Sequence, residues 1–134
     1  MKIVLVSHSE FSVGALKAAE MIIGETPGVA AFGLHPGMDG DGLIAKVVEW
    51  LDSTGDPEEE VLVLSDLFFG SPFNAMCALM NERKLYHVTG MNLAMIIEAI
   101  SNKDDFDSAK ELAEQIQEAA REGVVDANVM LESD

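Results

Sequence analysis

A histidine closes one apolar run of this chain, Val4-Leu5-Val6-Ser7-His8, and an aspartate closes another, Leu62-Val63-Leu64-Ser65-Asp66. Both runs read as buried parallel strands, and in an open α/β sheet the carboxyl ends of such strands face one crevice where ligands bind. An imidazole whose second nitrogen donates to a carboxylate is held in one tautomer and becomes the better nucleophile. His8 and Asp66 are therefore expected to meet, with chemistry at His8. Taken singly, His8 has a bland alternative as a hydrogen-bonded core residue. Coming from corresponding positions on two strands, the two side chains support each other.

The turn after Asp66, Leu67-Phe68-Phe69-Gly70-Ser71-Pro72-Phe73-Asn74, adds an anion site. Gly70 lets backbone approach closely, Ser71 offers a hydroxyl and an amide, and a helix beginning at Pro72 turns its positive end to the crevice. A phosphoryl group fits such a cradle. The tripeptide Gly-Ser-Pro alone is also an ordinary helix start. Phe68 and Phe69 beside the site read either as contact area for a partner or as core packing.

The elements that must position these residues alternate. Lys2 to Ser7 is a first strand, and Leu16, Ala19, Met21, Ile22 and Ile23 recur largely at helical spacing before Gly24, a C-terminal cap. Val29 to Leu34 is a second strand, followed by His35 to Gly42, whose three glycines and one proline exclude helix and strand alike. Leu43, Ile44, Val47, Val48 and Leu51 mark an amphipathic helix ahead of an acidic linker, Asp52 to Glu60.

Val61 to Ser65 is the third strand. Ser71, as a cap, and Pro72, in the first turn, start a helix running to about Glu82. Leu85 to Thr89 is a fourth strand, Leu93 to Ile100 a helix led by Gly90, and Phe106, Ala109, Leu112, Ala113, Ile116 and Ala120 the stripe of a last helix ending at Gly123. Val124 to Leu131 reads as a fifth strand of unfixed direction. Strands alternating with helices imply an α/β fold of three layers, a mostly parallel sheet covered on both faces.

Composition bounds the function. The 134 residues form a single domain, 1–134, and 49% hydrophobic content is not that of a disordered chain. Eight Lys and Arg against 24 Asp and Glu give a net charge of −16, which repels nucleic acid and anionic membranes and favours a partner with a basic patch. The charge runs Asp56 to Glu60, Asp104-Asp105 and Glu132 to Asp134 are solvated and not sites. The one cysteine, Cys77, reads as a small core residue and has no internal disulfide partner. The chain shows neither a leader pattern nor an apolar stretch of about 18 residues, so a soluble cytoplasmic protein is expected.

Several motifs together resemble the IIA domain of the mannose-type sugar phosphotransferase system. They are His8 and its distance to Gly24, Ala18-Ala19-Glu20-Met21, the Pro36-Gly37 loop, Asp66 followed by Gly70-Ser71-Pro72-Phe73-Asn74, and Gly90-Met91-Asn92-Leu93. The resemblance implies a phosphohistidine carrier in which His8 accepts a phosphoryl group from the phosphocarrier protein HPr and passes it to a IIB protein or domain. That IIB component phosphorylates the sugar during uptake through a membrane-embedded IIC/IID permease. It further implies that Asp66 bonds the other imidazole nitrogen and Ser71 contacts the phosphate. A doubly wound sheet, and a homodimer exchanging its carboxyl-terminal strand, Val124 to Leu131, are implied as well. Two departures bear on partner fit alone: no proline stands in Gly90-Met91-Asn92-Leu93-Ala94, and the loop Met38 to Gly42 is rich in glycine.

Other readings are weaker. A phosphorylation-regulated signalling module would come with a DNA-binding or ATPase segment, and the phosphoryl-donor subunit of a dihydroxyacetone kinase system fits the Gly-Ser-Pro-Phe-Asn segment less well. A receiver domain with Asp66 as acceptor needs acidic magnesium ligands after the first strand, where Ser7-His8 stand. His8, His35 and His87 follow no metal-ligand spacing. No cofactor is expected.

Overall fold

A computed structural model describes residues 1–132. Four parallel strands, β1 (Lys2–His8), β2 (Val29–Leu34), β3 (Val61–Ser65) and β4 (Tyr86–Thr89), form one sheet in the order β2-β1-β3-β4. The chain leaves β1 toward β2 and then crosses to β3 on the other side, so the topological switch point lies between the carboxyl ends of β1 and β3. This is the expected three-layer, doubly wound α/β fold.

The strands bury both faces because their side chains alternate. Ile3, Leu5, Leu62 and Leu64 pack with α1 (Phe11–Ile23), α4 (Leu93–Asn102) and α5 (Ala109–Glu122). Val4, Val6, Val61 and Val63 pack with α2 (Gly40–Ser53) and α3 (Ser71–Leu79). Each fully buried Val, Leu or Ile contributes about 1.5–3 kcal/mol, so the strands hold the switch point rigidly. β1 extends one residue past the expected end, placing His8 in register with Leu34.

Helix boundaries differ from the sequence reading where caps decide. α2 begins at Gly40, inside the stretch expected to exclude helix, because the Asp39 side chain accepts from the amide of Gly42 at 2.9 Å and satisfies the first turn. α3 is capped by Gly70 rather than by Ser71, which is its first residue and makes no side-chain cap bond. It stops at Leu79, short of Glu82, as the chain tightens into turns in which the amides of Asn81 and Glu82 reach the carbonyls of Ala78 and Leu79. α5 starts at Ala109, with Ser108 as cap. Cys77 is only partly buried.

The expected fifth strand is a correction. Residues Ala127–Glu132 form a short helix, α6, in which the Asp126 side chain accepts from the Val129 amide at 3.1 Å. A strand needs a neighbouring edge to bond its backbone, whereas a helix satisfies its own; with no such edge reached, the local cap prevails. No residue of α6 is buried, and Val124, Val125, Val129 and Leu131 are exposed. In the single chain, Val124 to Leu131 thus forms no strand of the sheet. The last two residues of the acidic run Glu132 to Asp134 lie outside the described residues.

Candidate functional site

His8 is the last residue of β1, and Asp66 directly follows β3, so the switch point brings them together as expected. Asp66 Oδ2 accepts from the His8 main-chain N–H at 2.9 Å and lies 2.8 Å from His8 Nδ1. An ionised carboxylate has only lone pairs to offer, so Nδ1 is the donor and, in the neutral ring, the lone pair is left on Nε2. The His8 side chain is 48% exposed and that of Asp66 12%. The imidazole therefore stands at the rim, while its carboxylate partner is largely covered behind it. Asp66 Oδ1 is buried without a hydrogen-bond partner among the described residues, which leaves His8 as the carboxylate's main compensation.

Gly70 is required by the imidazole itself. A Cβ added there would lie 2.9 Å from both Cε1 and Nε2 of His8, and the residue has φ +115°. The ring thus occupies the space a side chain would take, and the exposed face of Nε2 looks onto the amino-terminal end of α3. Ser71 stands exposed at that end, its hydroxyl unpartnered among the described residues. Free amides at the start of a helix suit an anion, and the cap of α3, Gly70, lies beside Nε2.

The sequence reading missed the clamp that aims the exit from β1. Buried Ser7 accepts the Ser12 amide at 2.7 Å through its Oγ, and the Ser12 hydroxyl donates to the Phe32 carbonyl at 3.0 Å. Between them Ser9 adopts φ +49°, a left-handed conformation that is costly for a residue with a Cβ. Gly33 permits it, since a Cβ there would stand 2.0 Å from the Ser9 carbonyl oxygen. Nothing in the spacing of Ser7, Ser9 and Ser12 announces this clamp; a strand-end serine pair ahead of a helix is its only trace.

Phe68 and Phe69 are surface residues, 57% and 71% exposed, stacked with centroids 4.4 Å apart. The core-packing reading is excluded for this pair. With Leu67, also exposed, they make an apolar rim directly beside the Asp66 carboxylate. The other histidines are elsewhere: His35 Nε2 lies 3.4 Å from Glu10 Oε1, and His87 is partly buried on β4, with its pKa pushed down to about 4 by desolvation. Among the described residues no group of His, Cys, Asp and Glu is arranged to hold a metal ion.

Two clefts lie away from His8. One of about 600 Å³ lies at the opposite end of the strands, lined by Lys2, Glu59 and Arg83, and one of about 460 Å³ follows the β4 edge beside Asn92 and Arg121. An exposed imidazole at a rim suits a reactant presented by a macromolecule. No helix of the described residues is long and apolar enough to cross a membrane.

The chain is similar to known proteins over most of its length. The sequence pattern described as "PTS system fructose IIA component" matches residues 2–117. The PTS system mannose-specific EIIAB component of Escherichia coli (strain K12) is 36% identical over 123 residues, covering 91% of this chain and 38% of that protein. The chain thus spans well under half the length of that relative. The PTS system sorbose-specific EIIA component of Lacticaseibacillus casei is 31% identical over 106 residues, 78% of this chain and 75% of that one. Among solved structures, a phosphotransferase system component EIIA from Streptococcus agalactiae superposes with a TM-score of 0.87 at 30% identity, covering 96% of this chain and 98% of the other.

Proposed function

The chain belongs to the mannose-type family of phosphotransferase system IIA components, and on that premise we propose that it is a phosphohistidine carrier, taking a phosphoryl group from phospho-HPr onto His8 and passing it to a IIB component during sugar uptake. The observation that carries this reading is the Nδ1 bond to Asp66 Oδ2, which leaves Nε2 free at the rim.

The chemistry follows from that bond. The Nε2 lone pair attacks phosphorus in-line as the N–P bond of the donor phosphohistidine breaks, its electron pair returning to the donor imidazole. The His8 ring, still carrying its Nδ1 proton, becomes cationic, and the buried Asp66 carboxylate stabilises that charge. The amides at the start of α3 and the Ser71 hydroxyl receive the phosphoryl oxygens, with Gly70 giving the ring its place. Transfer to the acceptor is the same step in reverse geometry.

Docking follows from charge and shape. A net charge of −16 favours a basic partner, and Leu67, Phe68 and Phe69 supply apolar contact beside the reacting atom. HPr and IIB would use this rim in turn, since both must reach Nε2. A IIC/IID permease is engaged only through IIB, which suits a cytoplasmic location. The exposed valines and Leu131 near α6 support a homodimer that covers them.

Incubation with phosphoenolpyruvate, the general phosphotransferase enzyme and HPr tests the reading. One acid-labile phosphate per chain is expected, at His8, and none in a folded His8→Ala variant. Undiminished labelling of that variant, or an acid-stable phosphate, overturns it.

A further inference from the structure

Beneath the site lies a partly buried polar cluster that the phosphoryl chemistry does not use. Ser65, fully buried at the end of β3, has its Oγ 2.7 Å from His87 Nε2 and 2.8 Å from Thr89 Oγ1. With the Ser65 hydroxyl donating to Thr89, His87 Nε2–H donates to Ser65 Oγ. Its Nδ1 then accepts, facing Cys77 Sγ at 3.9 Å. The Ser65 carbonyl accepts from the Met91 amide at 3.0 Å. Both ends of Ser65 are thus pinned, and the next residue is Asp66.

The far side of the same imidazole supports the other end of the loop. Phe73 lies against the His87 ring at 5.0 Å between centroids, Phe68 stands edge-on to Phe73 at 5.4 Å, and Phe69 stacks on Phe68. The residues from Asp66 to Phe69 are therefore held from below at both ends by contacts that converge on one ring. A valine would fill a mid-strand position without the desolvation cost of an imidazole, so packing alone gives no reason for histidine here.

We propose that His87 is a positioning residue for phosphoryl exchange: through Ser65 before Asp66 and through Phe73 and Phe68 after it, His87 fixes the loop so that Asp66 Oδ2 meets both donors of His8. The kinetic part of this role rests on the phosphocarrier reading; the geometric part does not. A carboxylate displaced by a fraction of a bond length weakens its hold on Nδ1–H, and the His8 ring then samples the tautomer that lacks a free Nε2 lone pair.

The experiment uses Ser65→Ala, His87→Val and His87→Gln, the last keeping an N–H donor on a side chain of similar reach. Each is read by ¹⁵N NMR of the His8 ring in the unphosphorylated protein and by kcat and KM with phospho-HPr, with thermal unfolding as the check on folding. Ser65→Ala and His87→Val are expected to shift the His8 ring signals from the Nδ1–H tautomer toward a mixture and to lower kcat about threefold to tenfold at unchanged KM. His87→Gln should recover both. Folded Ser65→Ala and His87→Val proteins with unshifted ring signals overturn the proposal, whatever their KM. An unmodified chain that takes no phosphate from phospho-HPr overturns the carrier reading instead, while the ring signals still decide the role of His87.

Discussion

One oxygen of Asp66 serves two groups of His8: Oδ2 lies 2.9 Å from the main-chain nitrogen and 2.8 Å from ring Nδ1. The first bond ties the ends of β1 and β3 together beyond the last ladder pair, Val6 with Ser65, and the second orients the ring on that fixed point. Backbone and side chain are aligned by one acceptor, so a change in the carboxylate alters the direction of Nε2 as well as its electronics.

Asp66→Asn separates these effects. The amide oxygen can still accept from the His8 main chain, so the fold should be kept, but the charge that stabilises the cationic phosphorylated ring is gone. Single-turnover transfer from phospho-HPr should slow by about two orders of magnitude, with phosphate still entering at His8. A rate equal to that of the unmodified chain would show that the pair is not a working unit.

Gly70→Ala tests the cradle. The new Cβ meets the His8 ring at 2.9 Å, and φ +115° is unfavourable for any side chain, so ring or backbone must shift. A loss of about 1–3 kcal/mol in urea unfolding is expected, together with slower phosphorylation. Gly14→Ala, where nothing lies within 4 Å of the added carbon, is the matched control and should leave phosphorylation unchanged. Full phosphorylation of Gly70→Ala would mean that the ring does not need this space.

The pairing of His8 with Asp66 was legible because parallel strands leave a plain signature and their carboxyl ends share one crevice; it needs no knowledge of loops. Ser71 was legible as a rim residue but not as a non-cap, because Gly70 and Ser71 compete for that position and only backbone angles decide between them. Gly40 and Gly42 hid the start of α2, since glycine argues against a helix until the cap at Asp39 is seen. Val124 and Val125 suggested a strand, yet β propensity counts for little where no edge is reached. Phe68 and Phe69 were ambiguous because an apolar pair at a strand end carries no sign of which way the loop turns. The Ser65–His87 bond spans 22 residues and depends on the β3–β4 register, which the sequence does not display.

Acid should expose the cost of His87. Burial pushes its pKa from 6.5 down to about 4, so between these values the unfolded chain binds a proton on this residue that the folded chain does not. Stability then rises with pH across that window. It is whole above about pH 6.5 and is progressively lost as pH falls toward 4. Because the ring is partly accessible to solvent, the loss is on the order of 1 kcal/mol by about pH 5 rather than the full linkage value. The carboxylates titrate in the same range, and protonating them relieves the self-repulsion of a chain with a net charge of −16, so the raw pH profile mixes opposing effects. The difference between this protein and His87→Val removes the shared part. Urea midpoints at pH 7, 6, 5 and 4.5 should fall more steeply for the protein with histidine than for the valine variant, the two curves separating below pH 6.5. Parallel curves throughout would mean that His87 takes up its proton in the folded state as readily as in the unfolded one, and that burial does not set its charge.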